Sequence, residues 1–194
     1  MQIRPCFLVA ALALAAGGLF AGCPSKSDPY RTAKDSSQAL HARLAAVENL
    51  ADQELLADVA KTAGNYDVCL AAAKKLDEQH REEAQSAFAW VANYSSDPAM
   101  RHTAFERLTE QAAFADVVKN TIDPGLRETA FAKLTDQAQL ADVAKNAKYV
   151  GARRTAAEKL TDPALLADVA KNANGPLARD AAEKRLAELK EQTK

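Results

Sequence analysis

Apolar and polar positions along this chain recur in the same order with a period of 26 residues. In one copy, a first set of apolar residues has the spacing i, i+1 and i+4, and a second set has the spacing i, i+3, i+4 and i+7, both typical of one helical face. The first set is Ala130, Phe131 and Leu134, and the second is Leu140, Val143, Ala144 and Ala147. Each period therefore predicts two short helices, and no stretch shows strand alternation.

The boundaries of these helices follow from their flanking residues. The first helix is predicted to run from Arg127 to Leu134 and to stop at Thr135. Asp136 is placed to cap the second helix, which is predicted to begin at Gln137 and to end near residue 147. Successive repeats are joined at loop-forming runs, and these are Ser96-Asp97-Pro98, Asp123-Pro124-Gly125 and Asn174-Gly175-Pro176.

The repeat covers most of the chain. The three plainest copies read RHTAFERLTEQAAFADVVKNTIDPGL, RETAFAKLTDQAQLADVAKNAKYVGA and RRTAAEKLTDPALLADVAKNANGPLA. An earlier copy begins at Arg43, and a half-copy from Arg179 to Leu189 closes the chain. Repeats of this length predict an all-α solenoid, an α-α superhelix of about five 26-residue helix pairs, with an extended surface for binding.

One copy is irregular. It begins at Cys69, where the other copies have arginine, and the next copy begins 32 residues later. About six extra residues are therefore predicted around His80–Gln85, with Gln79 in the position that Gln53 occupies one copy earlier.

The N-terminus has the pattern of an exported protein. Arg4 precedes an apolar run from Phe7 to Ala16, which predicts a leader peptide that is not part of the fold. The run Leu19-Phe20-Ala21-Gly22-Cys23 resembles the bacterial lipobox, and this resemblance implies cleavage before Cys23 and acylation of its thiol, with palmitate among the chains. The alternative is an ordinary signal peptide cut near Ala21, with a plain thiol at residue 23.

These features divide the chain into three parts. Residues 1–22 are the predicted signal peptide, residues 23–37 the acylated cysteine and a flexible polar tether, and residues 38–194 the helical domain. Eleven tether residues, 24–34, would reach at most about 40 Å. The predicted location is the bacterial cell envelope: the periplasmic side of the inner or outer membrane, or the cell surface.

Composition narrows the possible functions. The formal net charge is −1, and it becomes −2 without the leader, so the chain lacks the basic patch expected of a nucleic-acid-binding protein. Glycine occurs only seven times, which argues against a phosphate-binding loop. Of the three cysteines, Cys69 alone belongs to the predicted domain, where a small buried apolar role or a reactive thiol are the alternatives.

The repeated phrase R-x-x-A-x-x-K-L-T-D-Q-x-x-L-A-D-V-A-K-N, on helix pairs, resembles short bacterial HEAT-like repeats, including the leucine-rich-variant type, from roughly Gln38 to Leu189. The resemblance implies a right-handed superhelix that serves as a protein-binding scaffold without a cofactor. The irregular copy departs from it, since Cys69 replaces the arginine and no aspartate matches Asp142. No cysteine cluster supports the iron–sulfur module found in some leucine-rich-variant proteins.

Two charged columns recur at fixed repeat positions. They are Arg101, Arg127, Arg153 and Arg179, and Asp58, Asp116, Asp142 and Asp168. A residue that every repeat interface needs should recur in every repeat, so we interpret both columns as a structural ladder, with a ligand-binding stripe as the alternative. Lys-Asn pairs at the ends of the second helices fit the helix dipole and the turn that follows.

Candidate partner-binding residues lie in the irregular copy. Trp90 and Tyr94 are residue types common at the centre of interfaces, and His80 lies in the predicted insert. The alternative for the aromatic residues is a place in the core. A metal site at His80 with neighbouring carboxylates is a weak possibility, and we predict neither a metal nor catalytic residues.

The predicted function is that of a non-enzymatic, lipid-anchored scaffold for an unidentified envelope protein. Two alternatives stay open. One is a ligand-binding or enzymatic domain with a site on the concave face, and the other is a passive spacer or assembly factor.

Overall fold

The computed structural model describes residues 28–77 and 81–192, and within these ranges every regular element is a helix. The twelve helices are α1 (Pro29–Lys34), α2 (Leu40–Asn49), α3 (Gln53–Thr62), α4 (Tyr66–Asp77), α5 (Arg81–Tyr94), α6 (Pro98–Phe105), α7 (Gln111–Asn120), α8 (Pro124–Lys133), α9 (Gln137–Asn146), α10 (Val150–Lys159), α11 (Pro163–Asn172) and α12 (Pro176–Gln192).

The helices form two layers. Layer A contains the even-numbered helices and layer B the odd-numbered ones, and each helix packs against its neighbours along the chain. Consecutive layer B helices are in contact from α1 to α11, whereas layer A is in comparable contact only at its two ends, so the array is tighter along layer B. The predicted all-α solenoid is confirmed, with five helix pairs flanked by α1 and α12.

Two edges connect the layers. The A-to-B edge holds the turns that lead from layer A into layer B, at residues 50–52, 106–110, 134–136 and 160–162. The B-to-A edge holds the returning turns, at residues 63–65, 95–97, 121–123, 147–149 and 173–175. All layer B helices of the five pairs therefore begin at one edge and end at the other.

The first helix of each repeat begins earlier than the sequence predicted. α8 starts at Pro124 rather than Arg127, because Asp123 caps it by accepting hydrogen bonds from the Gly125 and Leu126 amides at 2.9 and 3.2 Å. Proline fits the first helical position, where an amide hydrogen has no helical partner. The run predicted as a loop is thus a helix start. The second helix begins at Gln137 behind Asp136, as predicted.

The predicted flexible tether is shorter than residues 23–37. Asp28 and Pro29 start α1 by the same capping rule, and Ala33 in this helix is fully buried. The proline that we interpreted as a tether residue occupies the first turn of a helix. The folded part therefore begins by residue 28, and Cys23 lies outside the described residues.

The core consists of columns of repeat-equivalent side chains. One layer B position always carries a large apolar residue, buried to at least 95%: Leu56, Phe88, Phe114, Leu140 and Leu166. The facing layer A position is always alanine: Ala46, Ala72, Ala104, Ala130, Ala156 and Ala182. Burying each large side chain contributes about 1.5–3 kcal/mol, and the alanines permit close approach of the helices.

A glutamine ladder holds the A-to-B edge together. The Gln111 amide donates to the Lys133 carbonyl at 3.1 Å, and its oxygen accepts from the Thr135 and Asp136 amides at 2.8 and 3.0 Å. The next repeat carries the same accepting bonds, with Gln137 accepting from the amides of residues 161 and 162 at 2.7 and 3.3 Å, whereas its amide donates to the Thr135 carbonyl at 3.4 Å. Each of these glutamines stabilises the turn of the following repeat.

The glutamine ladder also locates the insertion. Gln85 donates to the Arg107 carbonyl at 2.9 Å and accepts from the Thr109 and Glu110 amides at 2.8 and 3.2 Å, the bonds that Gln111 makes one repeat later. The repeat position predicted for Gln79 thus belongs to Gln85, and Gln79 lies outside the described residues. The extra residues fall before Gln85 and lengthen α4 and α5, the helices on either side.

An arginine ladder follows the B-to-A edge. Three arginines each donate from Nη1 to the carbonyl six residues earlier: Arg101 to Ser95 at 3.0 Å, Arg127 to Thr121 at 2.8 Å and Arg153 to Ala147 at 2.7 Å. They also reach the following turn, where Arg101 pairs with Asp123 at 3.0 Å and Arg127 lies 4.0 Å from the Tyr149 ring centre. Arg179, in the last helix, is exposed.

The irregular copy compensates for its missing arginine. Cys69 occupies the arginine position, and the carbonyl that this arginine would bind is that of Ala63. Arg43 of the preceding repeat donates to Ala63 instead, as well as to the Ala33 carbonyl at 2.9 Å. Cys69 is fully buried and unbridged, and burial raises the pKa of its thiol, which matches the predicted apolar role.

We expect Gln111→Ala to lower the free energy of unfolding by about 1–3 kcal/mol, because the turn amides of the next repeat lose their acceptor. Gln139→Ala is the matched control, since the described structure shows no side-chain hydrogen bond at this neighbouring glutamine. Urea unfolding followed by circular dichroism measures both. Equal effects of the two substitutions would contradict the proposed role of the glutamine ladder.

Candidate functional site

The outer face of layer B carries a polar ladder of lysine and aspartate. Lys119 in α7 donates to the Asp142 carboxylate in α9 at 2.7 Å, and Lys145 in α9 donates to the Asp168 carboxylate in α11 at 2.7 Å. In both pairs the lysine comes from one repeat and the aspartate from the next. Two members of the predicted Asp column, Asp142 and Asp168, are therefore bonded to lysines for which the sequence suggested a helix-dipole role, with a partner-binding edge as the alternative.

Asparagine completes each unit of the polar ladder. Asn146 and Asn172 donate to the aspartate one helical turn earlier, Asp142 and Asp168, both at 2.7 Å. Asn120 donates to Asp116 in the same way at 2.8 Å. Each of these carboxylates thus accepts one bond from its own helix and one from the previous repeat.

The N-terminal end of the ladder is closed by α1. Its Lys34 and Tyr30 donate to the Asp58 carboxylate in α3 at 2.6 and 2.7 Å, and the Thr62 hydroxyl contacts the same carboxylate at 3.2 Å. The segment predicted to be a tether therefore provides the hydrogen-bond donors for the first aspartate of the ladder.

The polar ladder lowers the pKa of three carboxyl groups, those of Asp58, Asp142 and Asp168. The hydrogen bond from Lys34 is the main cause of the lowered pKa of Asp58, and that from Lys145 is the main cause for Asp168. Burial acts to raise the pKa of Asp142, but the bonds from Lys119 and Asn146 outweigh it, so this pKa is also lowered. Lowered values mean that the folded state favours the ionised carboxylates.

The ladder is interrupted in α5. Residues 85–94 read QSAFAWVANY, where α7 reads QAAFADVVKN, so the two segments match position by position. Trp90 takes the place of the ladder aspartate, Asn93 that of the lysine and Tyr94 that of the asparagine. All three ladder positions of this one helix have therefore changed together, while its core position, Phe88, remains large and buried.

The substituted residues form an aromatic cluster, which we define as Tyr66, Trp90 and Tyr94. The Trp90 ring centre lies 5.9 Å from that of Tyr94 and 5.4 Å from that of Tyr66 in α4. Trp90 is half-buried against the core, and Tyr94 is 44% exposed. Trp90 thus packs partly against the core, as one sequence-based alternative predicted, while Tyr94 presents its ring to solvent, and the interface alternative stays a prediction.

The interruption leaves one ladder cation without its carboxylate. Lys61 in α3 holds the repeat position of Lys119 and Lys145, and the residue it should meet is Trp90. Within the described residues Lys61 makes no ion pair or hydrogen bond, and its side chain is exposed. On the other side, Asn93 is fully buried and donates to Asp116 at 2.8 Å, while its Oδ1 has no hydrogen-bond partner among the described atoms.

A groove of about 230 Å³ lies between α5, the helix that carries Trp90 and Tyr94, and α7. Small and polar side chains line it: Gln85, Ser86, Ala89, Glu110, Ala112, Ala113 and Asp116. Since it is open and shallow, it suits a side chain or a short extended segment better than an enclosed small molecule. A second cavity, of about 350 Å³, lies near the C-terminus between α10 and α12. It is lined mainly by charged residues that pair with one another.

The structure brings together Trp90 and Tyr94 of the predicted partner-binding residues. His80 and Cys23 lie outside the described residues, so their assignments stay predictions. Among the described residues, no group of three or more histidine, cysteine, aspartate or glutamate side chains could hold a metal ion. No helix of the described chain is long and apolar enough to span a membrane.

The comparisons with known proteins give no relative: no family model, no curated protein and no solved structure matches this chain. The chain's own repeats therefore provide the reference against which an atypical position is recognised. A position-by-position alignment of QSAFAWVANY with the other second helices would have located the interruption from sequence, but the assumed match at Gln79 displaced the register by six residues.

We expect Lys145→Met to raise the pKa of Asp168 toward its ordinary value, because the main hydrogen bond that lowers it is lost. A folded-state pKa below the unfolded value contributes stability above about pH 4, which is lost as the pH falls through the folded value. The variant should therefore lose less stability between pH 7 and pH 3 than the parent.

Carboxyl carbon NMR titration and urea unfolding at the two pH values measure these effects. Lys61→Met is the matched control, since this lysine of the same column has no carboxylate partner in the described structure and should leave the pH dependence unchanged. An unaltered Asp168 titration in Lys145→Met would contradict the assignment.

Proposed function

We propose that this protein is a lipid-anchored scaffold of the bacterial cell envelope that binds a protein partner through the outer face of layer B. The leader and the lipobox-like run ending at Cys23 support the anchor, and the extended repeat surface supports the scaffold. A repeat array of the HEAT-like kind implied by the sequence would need no cofactor for this function.

One observation carries the proposal: the aromatic cluster replaces the polar ladder in a single repeat. Position 90 could hold an aspartate, as the same position does in four other helices, and the interruption removes a carboxylate that would meet Lys61. A change that gives up local pairing and exposes Tyr94 is typical of a surface selected for binding. Tryptophan and tyrosine supply large contact areas and dominate binding energy at many interfaces.

The start of the described chain and the end of the cluster helix lie toward opposite edges of the array. α1 is a layer B helix, so its start at Asp28 lies at the A-to-B edge, whereas Tyr94 ends α5 at the B-to-A edge. A ten-residue helix separates the edges by about 15 Å. The chain from Cys23 to Asp28 spans about 17 Å at most.

We expect a photoreactive phenylalanine analogue at position 94 to form a discrete covalent adduct with one envelope protein in living cells. The same analogue at Asn146, the equivalent position of a repeat with an intact ladder, is the matched control and should give none. Immunoblotting and mass spectrometry identify the adduct. Adducts at neither position would favour the passive spacer, and adducts of equal yield at both would place the contact on the repeated face instead of the cluster.

The anchor has its own test. Cys23→Ala should abolish metabolic labelling with palmitate and release the protein from the membrane fraction, because the thiol that would be acylated is gone. Cys6→Ala is the control, since this cysteine leaves with the predicted leader. Label that persists in Cys23→Ala, or that is absent from the parent protein, would contradict the anchor.

A further inference from the structure

We infer that the partner supplies the carboxylate that the polar ladder lacks: an acidic side chain beside an apolar or aromatic residue, placed against Lys61 and the aromatic cluster. This inference rests on the proposed function and specifies the chemistry of the partner. It follows from what the same positions do in the neighbouring repeats.

The intact units of the polar ladder show that a lysine at this repeat position binds a carboxylate. In the two intact units, the lysine at this repeat position binds a carboxylate of the next repeat at 2.7 Å. Lys61 has the same position at the end of its helix, and Trp90 stands where its carboxylate should be. The exposed carboxylate of Asp67 makes no ion pair with Lys61 in the described structure, so a free cationic side chain ends α3, the helix that packs against α5.

The aromatic cluster indicates the type of partner residue that would lie next to this carboxylate. Tyr94 exposes 44% of its surface, and its ring packs at a tilt of 53° against Trp90, which itself packs against the core, so the exposed ring is held in place before binding. A preorganised aromatic surface reduces the ordering cost of association. An apolar or aromatic side chain of the partner can cover these rings while its acidic neighbour reaches Lys61.

The groove between α5 and α7 gives room for the rest of the segment. Its floor carries the small side chains of Ser86, Ala89 and Ala112, and its volume of about 230 Å³ admits one or two side chains. The buried Oδ1 of Asn93, which has no hydrogen-bond partner among the described atoms, belongs to the same helix. A partner segment that enters the groove would contact the same helix, α5, that carries Trp90 and Tyr94.

The most specific test restores the ladder residues in α5. The double variant Trp90→Asp, Tyr94→Asn gives α5 the residues that α7, α9 and α11 carry at these positions, and Lys61 then has an internal carboxylate. The full chain, solubilised in detergent and immobilised, is used to select from a random peptide library displayed on phage. Circular dichroism and the melting temperature establish that each variant is folded. If the double variant does not fold, the single variant Tyr94→Asn replaces it in the selection.

We expect the parent protein to enrich peptides that carry aspartate or glutamate next to an aromatic or aliphatic residue, and the repaired protein to enrich none of them. For a selected peptide, Lys61→Met should weaken binding roughly two- to fivefold, the range of an exposed ion pair. Lys171→Met, the last lysine of the same column, should leave the affinity unchanged. Lys61→Glu should shift selection toward peptides with lysine or arginine.

The outcomes separate this inference from the proposed function. Enrichment that the repair abolishes, but without preference for acidic residues and without sensitivity to Lys61, would overturn the inference and leave the scaffold standing. Equal enrichment on parent and repaired protein would overturn the inference, and a discrete cross-link at position 94 would then show that a partner of other chemistry binds there. No enrichment together with no cross-link would overturn both.

Discussion

The fold depends on hydrogen bonds that pass from one repeat to the next at the corners of the array. Helices of about ten residues are marginal in water, since they lack enough internal bonds to offset their ordering. Here the side chains of one repeat bind the turn or the helix end of another: glutamines at the A-to-B edge, arginines at the B-to-A edge and lysines on the outer face of layer B. The 26-residue period is the spacing that keeps these bonds in register.

This constraint explains where the chain tolerates change. The insertion lies before Gln85, so the glutamine still reaches the turn of the next repeat, and two helices simply become longer. The loss of arginine at Cys69 is tolerated because Arg43 reaches the carbonyl of Ala63 from the other side. Changes survive where the backbone groups of a turn keep a partner.

The sequence predicted what repeats and missed what only the contacts define. Periodicity was sufficient to predict the two-helix repeat, the solenoid and the Asp136 cap, because each follows from residue types at fixed positions within the repeat. It misplaced helix starts at prolines such as Pro124 and the start of the domain at Pro29, since a proline signals a loop or a first helical turn with equal strength. Bonds between residues 22 to 25 positions apart, such as those of Gln111, appear only once the repeats are stacked.

Recurrence also distinguishes residues that the stacking requires from candidate binding residues on the outer face of layer B. A side chain that the stacking requires recurs wherever the array has that corner, as the bonded lysine and aspartate do. Trp90 and Tyr94 occupy two of these recurrent positions without making the recurrent bonds, and Lys61 loses its carboxylate as a result. Stacking alone therefore gives no reason for the change. Natural proteins accept a local loss of stability where function requires it, and the aromatic cluster is the place in the described array that fits this rule.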